Sequence, residues 1–360
     1  MFYLLIALGF FTTSLEIVYG QVYGSACTVN PSGFPGTCKL LTECRQVRDD
    51  IIKNQRLPQL CGFRETQTIV CCPQVTEKRN PGDIVKTKCK EYSYAKNECG
   101  HKIVKRIVGG VVSGRKEFPH MAFLGYETED NEVIKWLCGG TIISDRFILT
   151  AAHCFVTSLR NGLTLKYVKI GVTNVNETDH KQELNVLQTI AHPDYKPPAK
   201  YNDIGLVKLE KPIELNSYAR PACLYTEKSI SVEKGIATGW GFTSFASGSL
   251  SDQLNKVELV FVSNEFCNMT YKDLISRNLR RGVVDDIQLC AGSGKDEKDT
   301  CQGDAGGPLQ IYHEGDDISC MYDIVGITSF GKACGLGPGI YTRVSHYIKW
   351  IEDIVWPEKH

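Results

Sequence analysis

The chain has 360 residues, room for one large domain and a small one. Its 41 basic and 41 acidic residues cancel, which removes any electrostatic case for a nucleic-acid or anionic-membrane partner. Sixteen cysteines, an even count far above cytosolic usage, point to an oxidising compartment and a disulfide framework.

In chain order, the first element is a short apolar run from Phe2 to Phe11, followed by small and polar residues around Gly20 and Gln21. It lacks a basic start, but it is too short for a membrane span and has the length of a secretory core. Residues 1–20 therefore read as a signal peptide and the product as secreted. No later stretch approaches the about eighteen uninterrupted apolar residues of a span, so no membrane anchoring is expected.

The second element is a module over residues 27–72 with six cysteines, Cys27, Cys38, Cys44, Cys61, Cys71 and Cys72. Too few apolar residues accompany them to form a core, so crosslinks must hold it; their spacing alone leaves the pairing open. A zinc site would want paired C-x-x-C spacing and nearby histidines, which are missing. Residues 73–106 read as a linker, rich in Lys, Glu, Asn and Pro and without hydrophobic periodicity; it carries Cys89 and Cys99.

From residue 107 to residue 360 the texture changes. Short β-branched and aromatic runs recur between turn residues: 147–149, 168–170, 204–207, 257–262 and 324–327. That pattern predicts an all-β barrel or sandwich. Val344, Tyr347, Ile348 and Ile351 fall at helical spacing and predict one terminal helix. Asn176 and Asn268 head glycosylation tripeptides, whereas Asn30 is followed by Pro31 and is excluded.

Three motifs lie far apart in this region: Leu149-Thr150-Ala151-Ala152-His153-Cys154, Tyr201-Asn202-Asp203-Ile204-Gly205-Leu206, and Thr300-Cys301-Gln302-Gly303-Asp304-Ala305-Gly306-Gly307-Pro308. Singly, a histidine beside a cysteine or an Asp before an apolar run is usually structural. Together and in this order, with Arg106-Ile107-Val108-Gly109-Gly110, Thr238-Gly239-Trp240-Gly241 and Pro338-Gly339-Ile340-Tyr341, they resemble the chymotrypsin-like serine proteases across residues 107–360.

The resemblance implies a trypsin-like double six-stranded β-barrel with a C-terminal helix. It makes His153 the general base and acid, and Asp203 the group that fixes its tautomer. The N–H groups of Gly303 and Ala305 would form the oxyanion hole. Asp299 would floor a pocket for Arg or Lys, with Gly331 and Gly339 as its walls and Ser329 binding the substrate backbone. Cleavage after Arg106 would free the amine of Ile107 to pair with Asp304.

It also implies the pairs Cys138–Cys154, Cys267–Cys290, Cys301–Cys334 and Cys99–Cys223. Cys89 and Cys320 are left over, which suggests that they pair.

The six-cysteine module resembles a clip domain, which implies the pairs Cys27–Cys71, Cys38–Cys61 and Cys44–Cys72. The layout, including Glu117-Phe118-Pro119-His120-Met121-Ala122, is similar to the Snake-like group of clip-domain proteases, which act in cascades feeding Toll signalling or melanisation. The implied partners are an upstream activating protease, a downstream zymogen or other protein cut after Arg or Lys, and serpin-type inhibitors. No cofactor is expected. In the loop 171–183, where trypsins hold calcium, Val172 replaces the first expected carboxylate; Glu177 and Asp179 remain, and no metal is expected.

One position breaks the pattern. Ala305 stands where the family has its nucleophilic serine, and alanine has no oxygen to attack a carbonyl. Two readings follow: an activatable Arg/Lys-specific protease whose nucleophile is replaced, so inactive as written, or a non-catalytic homologue that binds as a cofactor or decoy. A venom or cuticular structural protein would explain neither the pocket residues nor the activation site.

Overall fold

The computed structural model describes residues 23–29, 34–54, 57–73, 80–94, 111–128, 133–156, 162–241, 250–275, 278–292, 304–313, 321–331 and 337–357. Contacts divide the chain between Arg79 and Asn80 into two units.

The amino-terminal unit is an antiparallel sheet of β1 (Ala26–Val29), β2 (Phe34–Leu40), β3 (Leu60–Arg64) and β4 (Gln67–Pro73), with α1 (Arg45–Asn54) between β2 and β3. Spatial order is β1-β2-β4-β3. Its buried apolar residues are few, chiefly Cys38, Cys44, Ile69, Val70 and Cys71. Three disulfides, Cys27–Cys71, Cys38–Cys61 and Cys44–Cys72, supply what so small a core lacks, at about 2–4 kcal/mol for a typical bridge. This is the pairing that the clip resemblance implied.

The second unit contains α2 (Asp83–Tyr94), β5 (Val111–Val112), β6 (Met121–Glu127), β7 (Ile134–Ile142), β8 (Phe147–Thr150), β9 (Thr164–Ile170), β10 (Gln182–Ala191), β11 (Gly205–Leu209) and β12 (Cys223–Leu224). It continues with β13 (Lys234–Gly239), β14 (Asn255–Val262), α3 (Asn264–Thr270), α4 (Lys272–Ile275), β15 (Gln288–Gly292), β16 (Pro308–Tyr312), β17 (Tyr322–Phe330), β18 (Gly339–Arg343) and α5 (Ile348–Val355).

Strands β6 to β11 close into a barrel in the order β10-β11-β8-β7-β6-β9. A second six-stranded barrel runs β17-β16-β13-β14-β15-β18 and closes through β17–β18; β12 adds in parallel to β17, and β5 pairs with β14. The apolar runs read from sequence lie in β8, β9, β11, β14 and β17. Leu124, Ile148, Leu149, Val168, Ile170, Leu206, Val207 and Leu209 are fully buried, each side chain contributing about 1.5–3 kcal/mol. The trypsin-like all-β architecture is as expected, down to α5, which buries Ile348, Ile351 and Val355.

Two expectations change. The segment 73–106, expected to be linker throughout, carries α2, and α2 belongs to the second unit. Val85, Cys89 and Tyr92 fall one helical turn apart; Val85 enters the main core, while Cys89 packs with Cys223, Met321 and Tyr92. The helix start is held by Glu352 of α5, which is 5 % exposed. Its carboxylate accepts hydrogen bonds from the N–H groups of Gly82, Ile84 and Val85 at 3.0–3.2 Å. A charge inside the apolar stripe of α5 is thereby satisfied by the unpaired donors of another helix. The second correction follows from the same docking: Cys223 is bonded to Cys89, not to Cys99, so Cys89 is not the partner of Cys320. α2 faces Cys89 onto β12, a constraint that spacing in the sequence does not reveal. Cys99, Cys320, Cys301 and Cys334 lie outside the described residues.

Candidate active site

β8 runs out at Thr150, and the chain tightens into a 3-10 turn, Ala152–Cys154, that presents His153. Cys154 is bonded to Cys138 on β7, which fixes the turn. Asp203 lies two residues before β11, the neighbour of β8 in the first barrel, and Asn202 before it adopts φ 56°. The barrel therefore brings together side chains fifty residues apart. His153 Nδ1 lies 2.7 Å from Asp203 Oδ2, and the His153 backbone N–H donates to Oδ1 at 2.9 Å.

Asp203 is 2 % exposed. Burial alone would push its carboxyl up, but the charge and hydrogen bonds of His153 and a hydroxyl donor from Ser329 outweigh it, holding the carboxyl below its ordinary value. Ser329 Oγ donates to Oδ2 at 2.5 Å, and Thr342 Oγ1 donates to the Asp203 carbonyl at 2.8 Å. β17 of the second barrel thus holds the carboxylate, and β18 the backbone carbonyl, of a residue supplied by the first. An ionised Asp in this position holds the Nδ1–H tautomer of His153 and leaves Nε2 as the base.

Residues 304–307 form the adjoining turn. Gly306 has φ 78°, and a Cβ there would lie 2.1 Å from Thr150 Oγ1 and 2.6 Å from the Gly139 carbonyl, so only glycine fits. The Asp304 carboxylate presses on the β13 end: a Cβ on Gly239 would stand 2.0 Å from its Oδ1, which accepts from Gly241 N–H at 2.8 Å. Between these two residues sits Ala305, its carbonyl accepting from Gly139 N–H at 2.9 Å. The Cys154 sulfur lies 4.0 Å from His153 Nε2 and 3.7 Å from the Ala305 carbonyl, so the imidazole and residue 305 both lie against one sulfur. The side chain offered there is a methyl group.

Gly331 and Gly339 are neighbours, with a Cβ on Gly331 falling 4.0 Å from Gly339 Cα. Asp299, Gly303, Arg106 and Ile107 lie outside the described residues. The Cys267–Cys290 bridge ties α3 to β15. Asn176 is exposed, whereas Asn268 is half-buried and accepts from Val283 N–H at 2.6 Å. Glu177 is committed to its own loop: Oε2 accepts from Thr173 N–H at 3.1 Å, and Oε1 pairs with Arg115. Among the described residues, every cysteine in a metal-like cluster is bonded to another cysteine, which leaves no thiolate ligand there. No helix among them is long and apolar enough to cross a membrane.

A family model described as Trypsin matches residues 107–351. Serine protease snk of Drosophila melanogaster is 34% identical over 355 residues, covering 93% of this chain and 79% of that protein. CLIP domain-containing serine protease B4 of Anopheles gambiae is 34% identical over 369 residues, covering 95% of each. Phenoloxidase-activating factor 3 of Holotrichia diomphalia is 30% identical over 355 residues, covering 92% of this chain and 93% of that protein.

Proposed function

We propose a function from one premise: the chain belongs to the trypsin family of serine proteases, in its clip-domain branch. It is a secreted zymogen-form component of an extracellular immune or developmental cascade, activated by cleavage after Arg106 and built to grip Arg or Lys through Asp299. Its partners are the protease that cuts it and a protein bearing a basic residue at the scissile bond.

As written it holds such a ligand without acyl transfer. The observation that carries this reading is the complete His153–Asp203–Ser329 network set beside the Ala305 methyl group. A buried carboxylate costs several kcal/mol unless paired, and here the pairing turns His153 Nδ1 toward Asp203, while Nε2 and the Ala305 carbonyl both lie against the Cys154 sulfur. That polarity serves a hydroxyl nucleophile and has little use in a purely structural domain. Loss of the nucleophile lowers turnover about a millionfold in another serine protease.

The test is Ala305→Ser, cleaved after Arg106 and offered an Arg ester. Hydrolysis at rates of about 1 per second or more is expected. A stably folded, cleaved variant without turnover would overturn the protease reading and leave the second, a binding cofactor or decoy of the cascade, which the preserved Gly331–Gly339 approach favours.

A further inference from the structure

A cavity of about 290 Å³ opens on the second barrel, and no residue of the His153–Asp203–Ser329 network lines it. Its apolar wall is built by Phe261 and Val262 at the end of β14, Leu289 of β15, and Ile230 from the loop after β12. Leu289 is buried, whereas the other three are half-buried, so the wall runs from the interior out to the rim.

One charge is set into this wall. Arg343, at the end of β18, is 7 % exposed. Its Nε donates to the Asp285 carbonyl at 2.6 Å, its Nη1 to the Lys228 carbonyl at 2.9 Å, and its Nη2 to Asp285 Oδ1 at 2.8 Å. Two of those three acceptors are neutral. The counter-charge sits on a side chain that is 71 % exposed and screened by water, and Asn264 Nδ2 shares its Oδ1 at 3.3 Å. A guanidinium carries five N–H groups, so further donors remain beyond these bonds among the described residues. Lys228 stands exposed at the rim, and with Arg343 it outweighs Asp285, so the lining is positive on balance.

We propose that this cavity is a binding site for an apolar carboxylate, an aromatic ring carrying an acid on a short aliphatic chain. The acid takes the remaining N–H groups of Arg343, and the ring lies on Ile230, Phe261 and Leu289. An engineered cavity of about 150 Å³ takes up benzene, so about 290 Å³ holds a ring, a chain and a carboxylate. A charge-assisted bond to a buried guanidinium is about twice as strong as a neutral one. An alcohol of the same shape lacks that bond, and an amine meets two cations. An inorganic anion reaches Arg343 but leaves the apolar wall wet. The site depends neither on cleavage after Arg106 nor on the side chain at position 305.

The test follows 4-phenylbutyrate and 4-phenylbutanol binding to the full chain by saturation-transfer NMR. The acid is expected to bind with a Kd of about 0.1 mM, as for about a dozen non-hydrogen atoms of ordinary ligand efficiency, and the alcohol about tenfold more weakly. Sulfate at the same concentration should not displace the acid. Arg343→Gln should erase the difference between acid and alcohol. Should that variant fail to fold, Ile230→Glu, at a half-buried rim position, sets like charge against the acid and should weaken it about tenfold while affecting the alcohol less. Equal affinities for acid and alcohol, displacement by sulfate, no binding of the acid at several times the expected Kd, or an affinity unchanged by Ile230→Glu would each overturn the site.

Discussion

Replacing Glu352 by alanine removes the group that seats α2. The carboxylate receives three backbone donors at 3.0–3.2 Å, and with the side chain gone those N–H groups face a buried pocket. Loss of a helix cap costs up to about 2 kcal/mol, and loss of a negative charge from a partly buried helix start costs a further amount of similar scale. Water entering the vacated space returns part of this, so about 3 kcal/mol is a fair expectation. The cost falls on α2 alone, because Cys89–Cys223 keeps the helix from leaving. Local opening of the amides of Gly82, Ile84 and Val85 should then rise about a hundredfold, as each tenfold corresponds to about 1.4 kcal/mol. Hydrogen exchange followed by mass spectrometry over residues 80–88 reads this directly. Glu352→Gln, which keeps one acceptor oxygen, should fall between the parent and the alanine variant. Unchanged exchange in both variants would refute the claim that this carboxylate seats the helix.

Other expectations follow from buried charges. Lys256 and Glu117, each at most 8 % exposed in the side chain, pair at 2.5 Å, and Glu117 also accepts from Gly114 N–H at 2.7 Å. Lys256→Met alone should cost about 3–5 kcal/mol in denaturant unfolding, and adding Glu117→Gln should return most of it; additive losses would contradict the pairing. Asp203 has a depressed folded pKa, so its contribution is present above the unfolded value of 3.8 and is lost as pH falls through the folded one. Asp203→Asn should therefore flatten the acid limb of the stability curve below pH 3.8, and an unchanged limb would count against it. His313 runs the other way. Its hydrogen bond to Asp323 raises its pKa, so that increment is full below 6.5 and disappears as pH rises through the folded value; His313→Gln should remove that loss.

The chemistry was legible because covalent catalysis demands particular atoms: His153, Asp203 and the Gly-rich motif around Asp304 announce themselves locally even though only the barrels bring His153 and Asp203 together. The strands were legible where β-branched runs fill a closed core, as in β8 and β11. α2 was not, because Val85, Cys89 and Tyr92 are its few apolar marks among lysines and acids, and the residue that seats it lies 270 positions away. The Cys89–Cys223 bond was hidden for the same reason, since two nearby cysteines in one segment differ only in which of them the helix turns toward β12.

The docking of α2 has a practical corollary for anyone making the catalytic half alone. A polypeptide begun at Ile107 would emerge with Cys223 as an unpaired thiol, a vacant furrow where Val85 and Tyr92 belong, and the Glu352 carboxylate facing no donors. Such a fragment should aggregate or scramble its disulfides for reasons unrelated to the cleft. Begun at Asn80 and nicked after Arg106, the same half keeps its stopper in place.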